Sequence, residues 1–261
     1  MFKTRIITAL VGVPILLGGV YLGGNYWRGL VLLLAGIALL EYTAMMHHQG
    51  FKPIVIPAAG IALILLFRLQ LDQYLASLFF AGWLLMILVM VINYPRFNFI
   101  DLALSFFGAF YCGYLFSYAL AIPELQGAFL NLLLCLVLTW ASDIGGYWFG
   151  TLWGKHKLAA QLSPGKTREG AVGAVLLTII AAISFKYIFN MEYLNLSYTI
   201  LLGVCASGAA QLGDLLESAL KRYFGVKDAG SILPGHGGVL DRFDSLMLVL
   251  PAVYYFLVVF G

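Results

Sequence analysis

The chain has 261 residues, 62% of them hydrophobic, and only 27 are charged: 15 basic and 12 acidic. A soluble domain carries roughly 25% charged residues, so a chain with 10% has too little polar surface to be solvated by water, and a bilayer is its natural solvent. The same composition excludes disorder, and a net charge of +3 that is not gathered into a basic face excludes a nucleic-acid reader.

Nine apolar stretches long enough to cross a hydrocarbon layer are expected, at about 6–24, 28–46, 53–70, 74–93, 101–122, 127–150, 170–190, 198–218 and 245–260. They lack the alternation of a porin strand, and every backbone polar group in lipid must be satisfied within its own segment, so they are predicted to be helices. The N-terminal run ends in Gly-Gly-Asn-Tyr-Trp rather than a small-x-small cleavage site and reads as an uncleaved first span. The expected fold is therefore an all-α polytopic membrane protein with about nine spans.

Twelve of the 15 Lys and Arg residues then fall on the N-terminal side of the spans, and Arg28, Arg68 and Lys186 fall on the other. Basic loops stay in the cytoplasm, which places the N-terminus inside and the C-terminus outside. Cys112, Cys135 and Cys205 are widely spaced within apolar runs and read as small core residues rather than disulfides or metal ligands.

Charge is unevenly distributed: ten charged residues lie in 1–140, seventeen in 141–244 and none in 245–261. Residues 1–126, with five spans, read as a scaffold. Residues 127–261 read as the catalytic membrane region, with four spans and two cytoplasmic loops, 151–169 and 219–244. Glu41, in the second span and close to a loop, is expected to snorkel to the interface.

In the sixth span Thr139, Ser142, Asp143, Gly146 and Tyr147 recur at three- and four-residue spacings, and Asp143 is a candidate buried anion. In the eighth span Ser207, Gln211, Asp214 and Ser218 share one helix face. An ionisable side chain within a span costs about 2.5–3.5 kcal/mol on insertion scales, so Asp214 is expected to face the bundle and to seek a cation.

The segment after Ser218 carries the densest chemistry. Asp241 and Asp244 are three apart, share a helical face, and can hold one hard cation through oxygen while phosphates and water fill its remaining positions. Gly235, Gly237 and Gly238 suit a nest of backbone N–H donors for an anion, and Lys221, Arg222, Lys227 and Arg242 add cationic donors. Carboxylates for metal, glycines for backbone donors and bases for phosphate are the components of phosphoryl or nucleotidyl transfer. Gly165-Lys166-Thr167 lacks the spacing and preceding strand of a Walker loop, and reads as a second anion-binding loop.

The run Ser218–Asp244 resembles the CDP-diglyceride synthase signature, S-x-φ-K-R, four residues, K-D, a small residue, then P-x-H-G-G-φ-x-D-R-φ-D, with every specified position filled over 27 residues. Asp143-Ile-Gly-Gly-Tyr147 and Ser163-Pro-Gly-Lys-Thr-Arg-Glu-Gly170 are similar to further segments of that family. The resemblance implies phosphatidate cytidylyltransferase activity of the bacterial type: CTP and phosphatidic acid give CDP-diacylglycerol and pyrophosphate. It also implies Mg2+, a second cation such as K+, a homodimer, and a cytoplasmic-membrane location with the site facing the cytoplasm.

On this reading Asp214, Asp241 and Asp244 bind metal, with Asp143 as a further ligand or a nucleotide contact, and Lys221 joins the first three as a catalytic group. Lys166, Arg168, Lys221, Arg222, Lys227 and Arg242 bind phosphates. His236, Gly237 and Gly238 shape the nucleotide or pyrophosphate site, and Ser163, Thr167 and Asp228 complete the substrate contacts. The competing readings are a CTP-dependent lipid kinase and a cation transporter built on Asp143 and Asp214. The transporter leaves the glycine-rich loop without a role.

Overall fold

A computed structural model describes residues 2–235 and 237–261, and the side chains of residues 8, 10–235 and 237–261. The helices in chain order are α1 (Phe2–Leu22), α2 (Gly24–His48), α3 (Val55–Leu66), α4 (Arg68–Leu71), α5 (Leu75–Ile92), α6 (Phe99–Ala109), α7 (Leu115–Ala121), α8 (Ala128–Trp153), α9 (Arg168–Ile188), α10 (Leu196–Tyr223) and α11 (Leu240–Phe260). A 3-10 turn at Asp72–Tyr74 joins α4 to α5, and a π turn at Phe110–Tyr114 joins α6 to α7.

Among the described residues, seven segments are long and apolar enough to cross a membrane: Gly24–His48, Arg68–Ile92, Phe99–Glu124, Ala128–Trp153, Arg168–Ile188, Leu196–Tyr223 and Leu240–Phe260. The other two expected runs fall on shorter apolar helices, Leu10–Leu22 and Val55–Leu66. The protein is an all-α polytopic membrane protein. Its one departure among the described residues is a two-stranded hairpin in the predicted loop 151–169, with β1 (Lys157–Ala159) antiparallel to β2 (Ser163–Thr167). The last two long helices also extend beyond their apolar runs. α10 continues to Tyr223 and α11 begins at Leu240, so Asp241 and Asp244 are helical residues.

The chain forms two compact units. The first comprises residues 1–121 and 221–242. Its core holds Tyr42, Met45, Ile61, Tyr111, Tyr118 and Phe224, all at most 2% exposed. Polar residues here serve the scaffold. Asn98 caps α6 by accepting from the N–H groups of Ile100 and Asp101, and Asp101 accepts in return from Asn98 N and also from Lys52 N. Ser105 accepts from Ile54 N at 2.9 Å, so one face of α6 fixes the α2–α3 connection.

The second unit comprises residues 122–220 and 243–261. Its centre is the close packing of α8 on α9. A Cβ at Gly145 would lie 2.6 Å from the Gly173 carbonyl oxygen and 3.0 Å from Ala174 Cα, a separation of helix backbones that only small residues permit. The polar face predicted for the eighth span is a seam between helices: Ser142 and Ser207 share a hydrogen bond of 3.2 Å, and Gln211 donates to Ser207 Oγ and to the Ala171 carbonyl.

Candidate active site

In the second unit the cation that Asp214 requires comes from the hairpin. Lys166, on β2, places Nζ 2.6 Å from Asp214 Oδ2, and Ser218 Oγ lies 3.5 Å from Asp214 Oδ1. Local chemistry holds Lys166 in place. Thr167 is the N-cap of α9, accepting from Gly170 N at 3.1 Å, and is buried. Glu169, in the first turn, gathers the Lys155 and His156 N–H groups and the His156 ring, while Arg168 N donates to the His156 carbonyl. The segment Gly165–Thr167 is therefore a strand leading into a capped helix. Ser163 begins β2, and Arg168 is exposed at the start of α9.

Two further carboxylates of this unit are linked through Ser245. Its hydroxyl donates to Asp143 Oδ1 at 3.5 Å, and its N–H donates to Asp244 Oδ1 at 2.7 Å. Gly213 packs against the backbone of Asp244 and Ser245, which sets the residue before Asp214 against the start of α11. Asp143 is exposed and Asp244 is half-buried.

In the first unit the signature loop is built on two carboxylates. Asp241, with a side chain 4% exposed, accepts from Lys221 Nζ at 2.7 Å through Oδ1, and from Ala229 N and Gly238 N at 2.8 Å each through Oδ2. Glu41, far away in sequence on α2, accepts from Val239 N and Leu240 N at 2.9 Å each. Glu41 is 4% exposed, so the expectation that it snorkels is wrong. A carboxylate can be buried this deeply because the first N–H groups of a helix have no intrahelical acceptor, and the positive end of the α11 dipole favours a negative charge there.

The glycines fit these two anchors. Gly235 and Gly237 have φ of +75° and +83°, and Leu233 N donates to the Gly237 carbonyl to close the turn. Gly238 has no unusual φ, but a Cβ there would lie 2.5 Å from Glu41 Oε2. The N–H donors of Ala229, Gly238, Val239 and Leu240 are thus directed to the chain's own carboxylates. Arg222, Lys227, Asp228 and Arg242 are exposed around this loop. His236, predicted for the nucleotide site, lies outside the described residues. Sequence reasoning missed Glu41. The available signal was a lone carboxylate in an apolar helix, an arrangement that normally marks a burial partner or a functional site.

Among the described residues no three His, Cys, Asp or Glu side chains converge as a metal-binding group. Mg2+ needs no such cage: it typically takes one or two carboxylates and completes its octahedron with phosphate oxygens and water. Asp214, already set against an ammonium group, and the pair Asp143 and Asp244 are hard-oxygen donors of that kind, so the donor set fits. Asp241 is a further oxygen donor, and both of its oxygens also accept from loop donors, as those of Asp214 meet Lys166 and Ser218.

Carboxylates set against an ammonium group in one unit, and a basic, glycine-rich loop in the other, are the features of a membrane transferase acting on phosphate groups. A model of the cytidylyltransferase family matches residues 3–260, and the chain belongs to that family. It is 35% identical over 270 aligned residues to a phosphatidate cytidylyltransferase of Staphylococcus haemolyticus, covering 98% of this chain and 99% of that one. Proteins of the same name from Staphylococcus epidermidis and Staphylococcus aureus (strain COL) are each 36% identical, and each alignment covers 98% of this chain and 97% of the relative.

Proposed function

We propose that this protein transfers the cytidylyl group of CTP to phosphatidic acid, giving CDP-diacylglycerol and pyrophosphate. The observation that carries the reading is the complete Ser218–Asp244 signature in a chain that aligns over nearly its whole length with proteins named phosphatidate cytidylyltransferase.

A phosphate oxygen of the lipid attacks the α-phosphorus of CTP, a new P–O–P linkage forms, and the bond to the β-phosphate bridging oxygen breaks to release pyrophosphate. The second pKa of a phosphate monoester is about 6, so the nucleophile is largely dianionic at neutral pH and needs no protein base. The obstacle is the repulsion between two polyanions, and the protein's task is to neutralise and align them. Lys166 on the hairpin and Arg168 at the start of α9, with Arg222 at the end of α10, Lys227 on the loop and Arg242 at the start of α11, are assigned to phosphate oxygens. Lys221, held by Asp241, orients the loop and its cations. Asp214 and Asp244, with Asp143, are assigned to Mg2+, which when bound would neutralise triphosphate charge. Asp241 anchors the loop and is proposed, with Asp214 and Asp244, as a metal ligand.

The positive-inside distribution supports a bacterial cytoplasmic-membrane protein with nine spans, its catalytic loops facing the cytoplasm where CTP is available. A second cation and a homodimer complete the proposal.

Purified protein given α-32P-CTP and phosphatidic acid with and without Mg2+ tests the reading. A labelled lipid and pyrophosphate in equal amounts, formed only with Mg2+, are expected. Release of CDP in place of pyrophosphate would identify a lipid kinase, and ion flux without CTP consumption a transporter. Asp214→Asn with normal folding and near-normal turnover would remove Asp214 from the metal site.

A further inference from the structure

The last third of α2 meets the signature loop at Phe224, Gly230 and Gly238–Leu240. Tyr42 meets the Phe224 ring edge-on at 5.5 Å, His48 Nδ1 lies 3.3 Å from the Phe224 carbonyl oxygen, and Phe51, just beyond the helix, stacks on Tyr223. Glu41 sits at the far end of this contact line. Its carboxylate bonds Val239 N and Leu240 N, and a Cβ at either Gly230 or Gly238 would collide with it. One buried side chain therefore touches both arms of the loop, the incoming arm at Gly230 and the outgoing arm at Gly238–Leu240.

We infer that Glu41 is a positioning residue for the cytidylyl-transfer site: it fixes the start of α11 and the spacing of the two loop arms, and so sets where the loop's cations meet CTP. The inference rests on the function proposed above. It gives Gly238 a reason that backbone conformation does not supply, since this glycine has no positive φ and is required only because Glu41 occupies the space of its side chain. It also bears on which of the loop's N–H groups are open to an anion. Four of them are already held, by Glu41 and Asp241, so recognition of phosphate passes to Lys and Arg side chains.

Glu41 acts on the loop through the backbone N–H groups of Val239 and Leu240, so its removal should alter order before chemistry. In the full-length protein, Glu41→Gln keeps the size of the side chain but turns an NH2 group toward an N–H donor. It should raise amide exchange at Val239 and Leu240 and lower kcat/KM for CTP about ten- to hundredfold, the range set by one hydrogen bond to a charged acceptor. Peptides from α8 and α9 should exchange as in the wild type.

Gly238→Ala should show the same pair of effects. The double variant Glu41→Asp/Gly238→Ala, in which the shorter acid vacates the space the methyl enters, should be more active and better protected than Gly238→Ala alone. Unchanged exchange at 239–240 in Glu41→Gln, or a double variant no better than the additive loss of its parts, would overturn the inference. Should the wild-type protein make no CDP-lipid while Glu41→Gln still loses protection at 239–240, the proposed function falls and the structural role of Glu41 stands.

Discussion

Replacing Asp241 by Asn preserves the shape of the side chain and removes its charge from a site where three donors converge: Lys221 Nζ at 2.7 Å and the Ala229 and Gly238 N–H groups at 2.8 Å. The side chains of Asp241 and Lys221 are 4% and 17% exposed, so solvent replaces little of what is lost. Removing one member of a buried pair costs about 3–5 kcal/mol, and since Asn retains one acceptor oxygen the lower end, about 3 kcal/mol, is expected. This corresponds to roughly a hundredfold increase in the open population of the loop, an opening local to the segment rather than unfolding of the spans.

Trypsin reads that population directly, because Arg222, in the last turn of α10, and Lys227, in the loop, are exposed cleavage sites. In detergent micelles at low protease, cleavage at these two residues should accelerate about a hundredfold in Asp241→Asn, in line with the local opening above. Lys221→Met should accelerate it less, and the double variant should fall well short of the summed effects, because the two side chains share one interaction. Cleavage of Asp241→Asn at the wild-type rate would refute the assignment of Asp241 as the anchor of the loop.

Two further outcomes follow from packing and topology. Gly145→Val drives a side chain into the backbone of α9, with Gly173 O and Ala174 Cα within 3.0 Å of the new Cβ. Overpacking of about 1–3 kcal/mol or more should lower the melting temperature, whereas Gly12→Ala, with nothing within 4 Å, should not. In a background with Cys112, Cys135 and Cys205 replaced, a cysteine at Gln161 or Lys227 should react with an impermeant maleimide only in inside-out vesicles, and one at Glu192 only in right-side-out vesicles. The opposite pattern would reverse the orientation.

The sequence by itself determined the solvent, the fold class and the chemical class. Apolar runs of about 20 residues can only be helices in lipid, whatever they pack against. The signature Ser218–Asp244 is contiguous, so its chemistry was legible without coordinates, as was the need of Asp214 for a cation. The partner of each group was not legible, because hydrogen bonding between distant segments leaves no periodicity in either one. Lys166 reaches Asp214 because a capped hairpin presents it there. Glu41 had the sequence of a snorkelling residue, and only the packing of α2 along residues 223–241 turned it into the acceptor for the first N–H groups of α11. Glycine content suggested an open nest for phosphate. The tertiary structure turns the N–H groups of Ala229, Gly238, Val239 and Leu240 to two carboxylates of the chain, because in a low-dielectric interior each buried acid and each unpaired N–H is costly alone and stable together.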